Sequence, residues 1–402
     1  MILSRLKPVA ALNKIQTNLG SSTILRKSLL IFQFTVSIAF IIATLVAQKQ
    51  LHFIQNTNTG VDRSNVIVLD GGSIDLKQFE SFKEELSGYS SIQNVTASYD
   101  SPVNIQGGYS FSVAGRQDGE GMSITAIPVD KDFVSAMNLE IIKGRNFTTA
   151  DKKLVSIDRP ERQYAFMLNR TAVEALGYIP GEAIGKAASL NGRNGLITAV
   201  LEDFNFVSLH QKIELVVIFA EYDWFGQILI KTTGDNINQA ITDIATTWNS
   251  FNPGKTFEYR FLDDEYRELY QTEQRTASIL NIFSLITILI SCLGLFGLAA
   301  FTATQRKKEV GIRKVLGASV AQLTTLLSLD FLKLVLLGVL IAVPIAWYGS
   351  HFWLQGFAYK IKMPFELFVV GGILAIGIAL ATVSLQTVKA AIANPVKSLR
   401  TE

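Results

Sequence analysis

Four long runs without a charged residue constrain this chain more than any other feature. Each run holds more than 20 residues: Ser28–Gln48, Thr276–Gln305, Leu334–Tyr359 and Leu367–Val388. About 20 helical residues cross the hydrocarbon core of a bilayer, so each run is long enough to span it. Uncharged helices of this length are uncommon in water-soluble folds. The sequence therefore predicts four transmembrane helices, at 28–48, 276–304, 320–350 and 365–388.

The distribution of basic residues predicts the orientation of these helices. Lys and Arg are concentrated in the segments 1–27, 305–319 and 389–402. With four spans these three segments must lie on one side, and positive charge near helix ends marks the cytoplasmic side. We therefore predict that the N- and C-terminal segments are cytoplasmic. The segment 49–275 and the short loop 351–364 are predicted to lie on the outer side of the membrane.

The segment 49–275 has the pattern of an α+β domain inserted between the first two membrane helices. The predicted strands are Val66–Leu69, Val95–Tyr99, Tyr109–Val113, Ser123–Val129, Gly195–Leu201, Leu215–Ala220, Gln227–Thr232 and Phe257–Phe261. Helical periodicity predicts helices at Leu76–Leu86, Asp132–Met137, Asn169–Leu176 and Ile237–Ser250. Asp263–Ser278 lacks Gly and Pro and predicts a stalk helix continuous with the second span. The single cysteine excludes an intrachain disulfide.

No residue pattern predicts a catalytic or metal-binding site. The three histidines are far apart in the sequence and show no ligand spacing. Gly177–Lys186 faintly resembles a phosphate-binding loop, but Pro180 stands where that loop needs glycine. Ala187 also replaces the Ser or Thr that should follow the lysine. We therefore expect no cofactor bound by this chain, no catalysis by it and no nucleic-acid partner.

The basic segment between the second and third spans is the main candidate site. Gln305–Ser319 holds five basic residues and one acid between two apolar runs. It is either a solvated turn that only sets topology or a loop that a partner grips. The candidate residues are Arg306, Lys307, Lys308, Glu309, Gly311, Arg313, Lys314 and Gly317. The basic residues could meet an acidic partner surface, the glycines would allow close backbone approach, and Glu309 could cap or pair. Asp330 and Lys333, three residues apart, predict an intrahelical pair near this segment.

Several motifs together resemble the FtsX-like, MacB-like permeases of ABC transporters. The cytoplasmic signature of that family matches Lys308–Lys314 followed by Leu316–Ala318. Gly294–Leu298 and the tail Ala393–Val396 match as well, and Glu202–Phe206 is similar to a segment of the periplasmic core. The resemblance covers nearly the whole chain and is more specific in the membrane part.

The resemblance implies a non-catalytic permease subunit of the mechanotransmission type in a bacterial inner membrane, with the segments 49–275 and 351–364 in the periplasm. A separate cytoplasmic ATPase would bind ATP and dock on 305–319, and the periplasmic domain would perform export or extraction work. Further implied partners are a second copy or a second permease half, a periplasmic adaptor and the bilayer. The segment Arg26–Phe34 resembles the junction before the second half of eight-span members. The chain is then either a four-span protomer or half of a longer protein. The alternative is a membrane-anchored sensor, scaffold or cell-wall-hydrolase regulator without transport.

Overall fold

A computed structural model of the chain describes residues 8–73, 76–103, 105, 107–114, 121–156, 158–222 and 225–392. The chain divides into two compact units. We call the first the helical unit, which comprises Met1–Phe53, Thr272–Gly356 and Lys360–Glu402. We call the second the β-rich unit, which comprises Ile54–Gln271 together with Phe357–Tyr359.

The elements follow one another along the described residues in this order. They are α1 (Pro8–Asn56), β1 (Val66–Asp70), α2 (Leu76–Ser87), β2 (Ile92–Ser98), β3 (Gly108–Val113), β4 (Met122–Val129), α3 (Phe133–Ala136), β5 (Ile141–Gly144), α4 (Thr149–Leu154), β6 (Tyr164–Asn169), α5 (Arg170–Ala175), α6 (Pro180–Ala183), β7 (Ala187–Leu190), β8 (Arg193–Leu201), β9 (Val216–Ala220), β10 (Gln227–Thr232), α7 (Ile237–Phe251), β11 (Arg260–Phe261), α8 (Leu262–Glu268), α9 (Gln271–Gln305), α10 (Lys307–Val315), α11 (Val320–Leu354) and α12 (Phe365–Ile392).

The helical unit contains the predicted membrane spans. Within the described residues, four helices are long and apolar enough to cross a bilayer: Ile24–Asn56, Gln271–Gln305, Val320–Leu354 and Phe365–Val388. Their side chains form one apolar core to which α1, α9, α11 and α12 all contribute. The predicted number of membrane helices and the insertion of a β-rich domain after the first are confirmed. The helices extend beyond the predicted charge-free runs because helical backbone continues into polar sequence.

Small residues let the four long helices approach closely. A Cβ at Gly294 would lie 2.9 Å from Oε1 of Gln33, and one at Gly371 would lie 2.7 Å from the side chain of Ile42. The hydroxyls of Ser37 and Ser291 lie 3.0 Å apart and join α1 to α9 by a hydrogen bond. Small side chains and interhelical hydrogen bonds are the usual means of packing helices in lipid. The polar side chain of Ser37 on α1 therefore contacts another helix.

The β-rich unit is built on one sheet that partly closes on itself. The strand order is β11-β1-β10-β2-β4-β3-β7-β8-β6-β9, and β9 also pairs with β4. This last pairing is parallel and aligns Thr125 with Val216 and Val129 with Ala220. The strands β4, β3, β7, β8, β6 and β9 therefore form a closed barrel, and β5 pairs with β8. The remaining strands extend from the barrel as an open sheet.

Two apolar cores fill the β-rich unit. The barrel encloses Phe111, Phe166 and Phe219, and the rings of Phe111 and Phe166 meet edge to face at 5.7 Å. The open sheet packs against α2 and α7, where Phe82 lies 6.3 Å from Trp248. Close backbone approach in the barrel requires a glycine, since a Cβ at Gly195 would lie 1.9 Å from the Tyr164 carbonyl oxygen. The sequence therefore specifies both side-chain packing and strand spacing here.

A buried carboxylate fixes the start of α4. The side chain of Asp151 accepts hydrogen bonds from the two terminal guanidinium nitrogens of Arg145 at 2.6 and 2.8 Å. The hydroxyl of Thr148 donates to it at 2.7 Å. The Thr148 N–H also donates to it at 2.8 Å, while the Asp151 N–H donates to the Thr148 hydroxyl oxygen at 3.3 Å, and these two reciprocal bonds form a capping box. Burial opposes ionisation, but these donors outweigh it and hold the pKa of Asp151 below its usual range.

The predicted stalk is interrupted in the structure, so that prediction is wrong in one respect. The helix α8 ends at Glu268, and α9 begins only at Gln271. The backbone N–H of Tyr270 bonds to the carbonyl of Arg267, a tighter turn than an α-helix makes. Tyr270 is 1% exposed, and its hydroxyl accepts a hydrogen bond from the Leu209 N–H at 2.7 Å. Burial of this ring accompanies the break.

Candidate docking segment

The candidate residues occupy a short helix and the turn that follows it. Arg306 is the N-cap residue of α10, and the candidates from Lys307 to Lys314 lie within that helix. Gly317 lies one residue beyond the C-cap residue, Leu316. The side chains of Lys307 and Lys308 lie outside the described part of the structure, so their predicted role as basic contacts stays a prediction. The remaining candidates form one continuous segment that joins α9 to α11.

An ion pair ties the start of the segment to α11. A terminal guanidinium nitrogen of Arg306 lies 3.0 Å from a carboxylate oxygen of Asp330. Both side chains are half-exposed, at 39% and 49%. The prediction that Asp330 pairs with Lys333 is therefore wrong. The turn after α9 places Arg306 beside Asp330, although the two residues are far apart in the sequence.

The charges within α10 follow the direction of its dipole. Glu309 stands in the first turn, and Arg313 and Lys314 stand in the last turn. These positions are favourable because the N-terminus of a helix carries partial positive charge and the C-terminus partial negative charge. Glu309 also pairs with Arg313 at 2.9 Å, one helical turn away. Glu309 therefore pairs within its own helix.

The turn between α10 and α11 is fixed at both ends. Gly317 has a φ of +95°, a conformation that glycine adopts without steric cost. The N–H of Gly317 bonds to the carbonyl of Lys314, and the N–H of Ala318 bonds to that of Arg313, which forms a Schellman motif. Ser319 then starts α11 through reciprocal hydrogen bonds with Gln322. The role of Gly317 seen here is to end the helix.

One face of α10 is anchored and another is open. Val310 is buried with Leu323 and is joined by Ala318 in a small apolar cluster. Gly311 is also buried, so its small size serves packing within the chain rather than a free surface. The open face carries the apolar residues Ile312, Val315 and Leu316, which are 51%, 67% and 80% exposed. We call these three side chains the apolar face of α10.

Sequence reasoning concentrated on charge and missed this apolar face. The signal was present, because the three positions are spaced i, i+3 and i+4 and so lie on one side of a helix. Exposed apolar residues that cluster on a polar segment are typical of protein–protein contacts. The segment offers a surface for a partner. Among the described residues, no group of three or more His, Cys, Asp or Glu is placed to hold a metal ion.

A polar cavity of about 830 Å³ lies in the β-rich unit. It is lined by the loop from Gln55 to Ser64 and by Asn138, Glu140, Glu202, Asp203 and Asp263. Several of these carboxylates are already engaged within the unit. Glu202 accepts from the guanidinium of Arg170, and Asp203 accepts from the N–H and hydroxyl of Thr171 at 2.9 and 2.7 Å. The Glu202–Phe206 segment therefore holds the start of α5.

Comparison with known proteins agrees with this membrane architecture. Residues 281–395 match the family described as FtsX-like permease C-terminal. The chain is 24% identical to the uncharacterized ABC transporter permease YknZ of Bacillus subtilis (strain 168) over 301 residues. That alignment covers 73% of this chain and 74% of the relative.

Two solved structures are also similar to this chain. The periplasmic region of MacB from Actinobacillus actinomycetemcomitans is 18% identical, with a TM-score of 0.37, over 53% of this chain and 95% of that one. The extracellular domain of the noncanonic ABC-type transporter YknZ from Gram-positive bacteria is 16% identical, with a TM-score of 0.34, over 49% and 98%. From the family match and the aligned relative, we conclude that this chain carries an FtsX-like permease domain at residues 281–395 and is homologous to an ABC transporter permease.

Proposed function

We propose that this chain is the membrane subunit of an ABC transporter of the mechanotransmission type. A separate cytoplasmic ATPase docks on residues 305–319, and its ATP-driven movement changes the conformation of the β-rich unit on the other side of the membrane. That unit then exports or extracts a substrate. The chain contributes positioning and movement, while the partner supplies ATP binding and hydrolysis.

The apolar face of α10 is the observation that carries this proposal. Ile312, Val315 and Leu316 are exposed on a helix whose opposite side is anchored by Val310. Apolar side chains in a water-facing segment gain free energy when a partner covers them. The basic Arg313 and Lys314 beside them favour an acidic partner surface. An apolar centre with a charged rim is the usual anatomy of a protein interface.

The mounting of α10 supports a mechanical role. Three contacts fix the helix to α11: the Arg306–Asp330 ion pair, the Schellman motif and the Ser319 cap. Because α10 is attached to α11 in this way, displacement of a docked partner is transmitted to the membrane helices. A topology-setting turn would need none of these contacts, because positive charge alone is sufficient for that purpose.

Affinity purification of the full chain tests the proposal. The tagged chain is isolated from its native membrane in mild detergent, and ABC ATPases are identified by mass spectrometry together with co-eluting ATP hydrolysis. We expect an ABC ATPase to co-purify with the wild type and to be lost from the Ile312→Asp variant. The matched control is Ile179→Asp, which changes an isoleucine of the β-rich unit that is 63% exposed. Equal ATPase recovery from both variants would refute docking on α10.

The polar cavity of the β-rich unit favours a second candidate, a membrane-anchored sensor. A cavity of about 830 Å³ is large enough for a small polar ligand. A sensor needs no ATPase on α10, so the same purification separates the two functions. An intact chain that inserts in the membrane, elutes without any ABC ATPase and is unaffected by Ile312→Asp would support the sensor.

A further inference from the structure

The loop between α11 and α12 packs as part of the β-rich unit. Residues Phe357–Tyr359 group with that unit, whereas the helices on either side group with the helical unit. The N–H of Ala358 donates to the carbonyl oxygen of His210 at 3.2 Å. The N–H of Tyr359 donates to the carbonyl oxygen of Leu209, also at 3.2 Å. The loop is therefore held by main-chain hydrogen bonds.

Three aromatic rings strengthen this contact. Phe357 is 2% exposed, and its ring lies 4.0 Å from that of His210 in a stacked arrangement. His210 also stacks on Tyr270 at 6.3 Å. The hydroxyl of Tyr270 accepts the hydrogen bond from the N–H of Leu209. We call Phe357, His210 and Tyr270 the aromatic clasp.

The clasp gathers three segments that are distant in sequence. Phe357 belongs to the loop between the last two membrane helices, and Tyr270 stands immediately before α9. His210 closes the stretch that begins with Glu202 and Asp203, and these two residues hold the start of α5. A displacement of the loop therefore has a direct route into the β-rich unit. The route consists of packed rings and hydrogen bonds.

We propose that the aromatic clasp is a third attachment of the membrane helices to the β-rich unit, through which the α11–α12 hairpin moves that unit. The chain itself supplies the other two attachments, at the end of α1 and the start of α9. The purpose of the clasp rests on the proposed function, because it carries movement that begins with the ATPase on α10. His210, Phe357 and Tyr270 are positioning residues in this scheme.

Hydrogen exchange on the full chain in lipid nanodiscs tests whether the clasp holds the loop. Removal of a buried phenylalanine ring shifts a local opening equilibrium by roughly tenfold or more. We therefore expect Phe357→Ala to accelerate exchange at least about tenfold in peptides covering 204–212 and 356–362. The matched control is Phe352→Ala, which removes a 70% exposed ring of α11 and should leave both peptides unchanged. Equal exchange in the two variants would overturn the clasp.

A second pair of variants guards against general misfolding. His210→Phe keeps an aromatic ring in the stack and should retain most of the protection from exchange, whereas His210→Ala should lose it.

A cysteine cross-link tests the contact independently. The pair His210→Cys with Phe357→Cys is made in a Cys292→Ser background, because Cys292 is the only native cysteine. We expect this pair to form a disulfide under mild oxidation. Absence of that disulfide in a chain that inserts normally would contradict the contact.

The coupling role is tested with the ATPase bound. Exchange in the β-rich unit is compared between ADP and ATP with vanadate, for the wild type and for Phe357→Ala. We expect both chains to bind the ATPase equally, and the nucleotide-dependent change to be at least halved in the variant. An undiminished change in Phe357→Ala overturns the clasp and leaves the proposed function intact. A wild type that binds no ATPase overturns the proposed function and the coupling role together.

Discussion

Truncation of Leu316 should weaken the proposed contact between this chain and an ATPase by a calculable amount. Leu316 is 80% exposed and is the most exposed residue of the apolar face of α10. Replacement by alanine removes three side-chain carbons at about 0.8 kcal/mol each. Scaling by the exposed fraction gives about 2 kcal/mol if the partner covers the whole side chain, or roughly a thirtyfold rise in Kd. If the partner covers only part of the side chain, the loss of binding free energy is smaller, so the expected rise in Kd is between about threefold and thirtyfold.

Biolayer interferometry provides the measurement for Leu316→Ala. The full chain in lipid nanodiscs is immobilised, and the purified ATPase that co-elutes with it is titrated in. The matched control is Leu196→Ala, which truncates a 50% exposed leucine of β8 in the β-rich unit. The control should bind with the wild-type Kd. If Leu316→Ala also binds with the wild-type Kd, the ATPase does not cover this face and the reasoning from exposure is refuted.

Three further predictions concern the attachment of α10 to α11 and the stability of the β-rich unit. The half-exposed Arg306–Asp330 pair contributes about 0.2–1 kcal/mol. Arg306→Asp and Asp330→Arg should therefore each weaken ATPase binding modestly in the same assay, and the double variant should recover the binding. A double variant that binds no better than either single variant would disprove a role of this ion pair in holding α10. Gly195→Ala should lower the thermal unfolding midpoint markedly, because the added Cβ would overlap backbone atoms. The control Gly181→Ala adds a Cβ with nothing within 4 Å and should leave the midpoint unchanged. Equal midpoints for the two variants would contradict the close backbone approach at Gly195. The pKa of Asp151 lies below its usual range, so its contribution to stability is present above about pH 4 and is lost as the pH falls further. Asp151→Asn should therefore flatten the pH dependence of the denaturation midpoint below pH 4, and an unchanged slope would argue against the carboxylate's role.

The membrane architecture could be predicted from sequence because lipid imposes a simple rule. A span needs about 20 apolar residues with its backbone hydrogen bonds satisfied internally, and both properties can be read locally. Strands with alternating burial, such as Tyr109–Val113, were predicted for a similar reason. One face of such a strand is buried and the other is exposed, so apolar residues recur at every second position of its sequence.

The barrel could not be predicted because its closure depends on distant pairings. All residues of β6 are buried, so this strand shows no alternation and was missed. The short strands β5 and β7 were missed as well. The parallel pairing of β4 with β9 joins residues about 90 positions apart, and no local pattern encodes it. The predicted strand Phe257–Phe261 is reduced to Arg260–Phe261 for a related reason, since only those two residues find a partner in β1.

The candidate segment is predicted from its charge, but the surface that the structure shows on it is only partly predictable from the sequence. Charge drew attention to Arg306 and Arg313, and both of these side chains make ion pairs within the chain. Gly311 is buried, which a sequence without an alignment does not reveal. The exposed Leu316 emerges only when the helix is mounted on α11 and one side is covered. Exposure depends on tertiary contacts and cannot be read from residue type.

Hydrogen exchange of the whole complex tests the central claim most directly. The full chain in lipid nanodiscs is saturated with the proposed ATPase partner, and its hydrogen exchange is compared in ADP and in ATP with vanadate. Our account predicts a nucleotide-dependent change of exchange in the β-rich unit, centred on the segment from Glu202 to His210. It further predicts that Ile312→Asp abolishes this change. An ATPase that binds and hydrolyses ATP while exchange throughout the β-rich unit stays the same in both states would contradict the account.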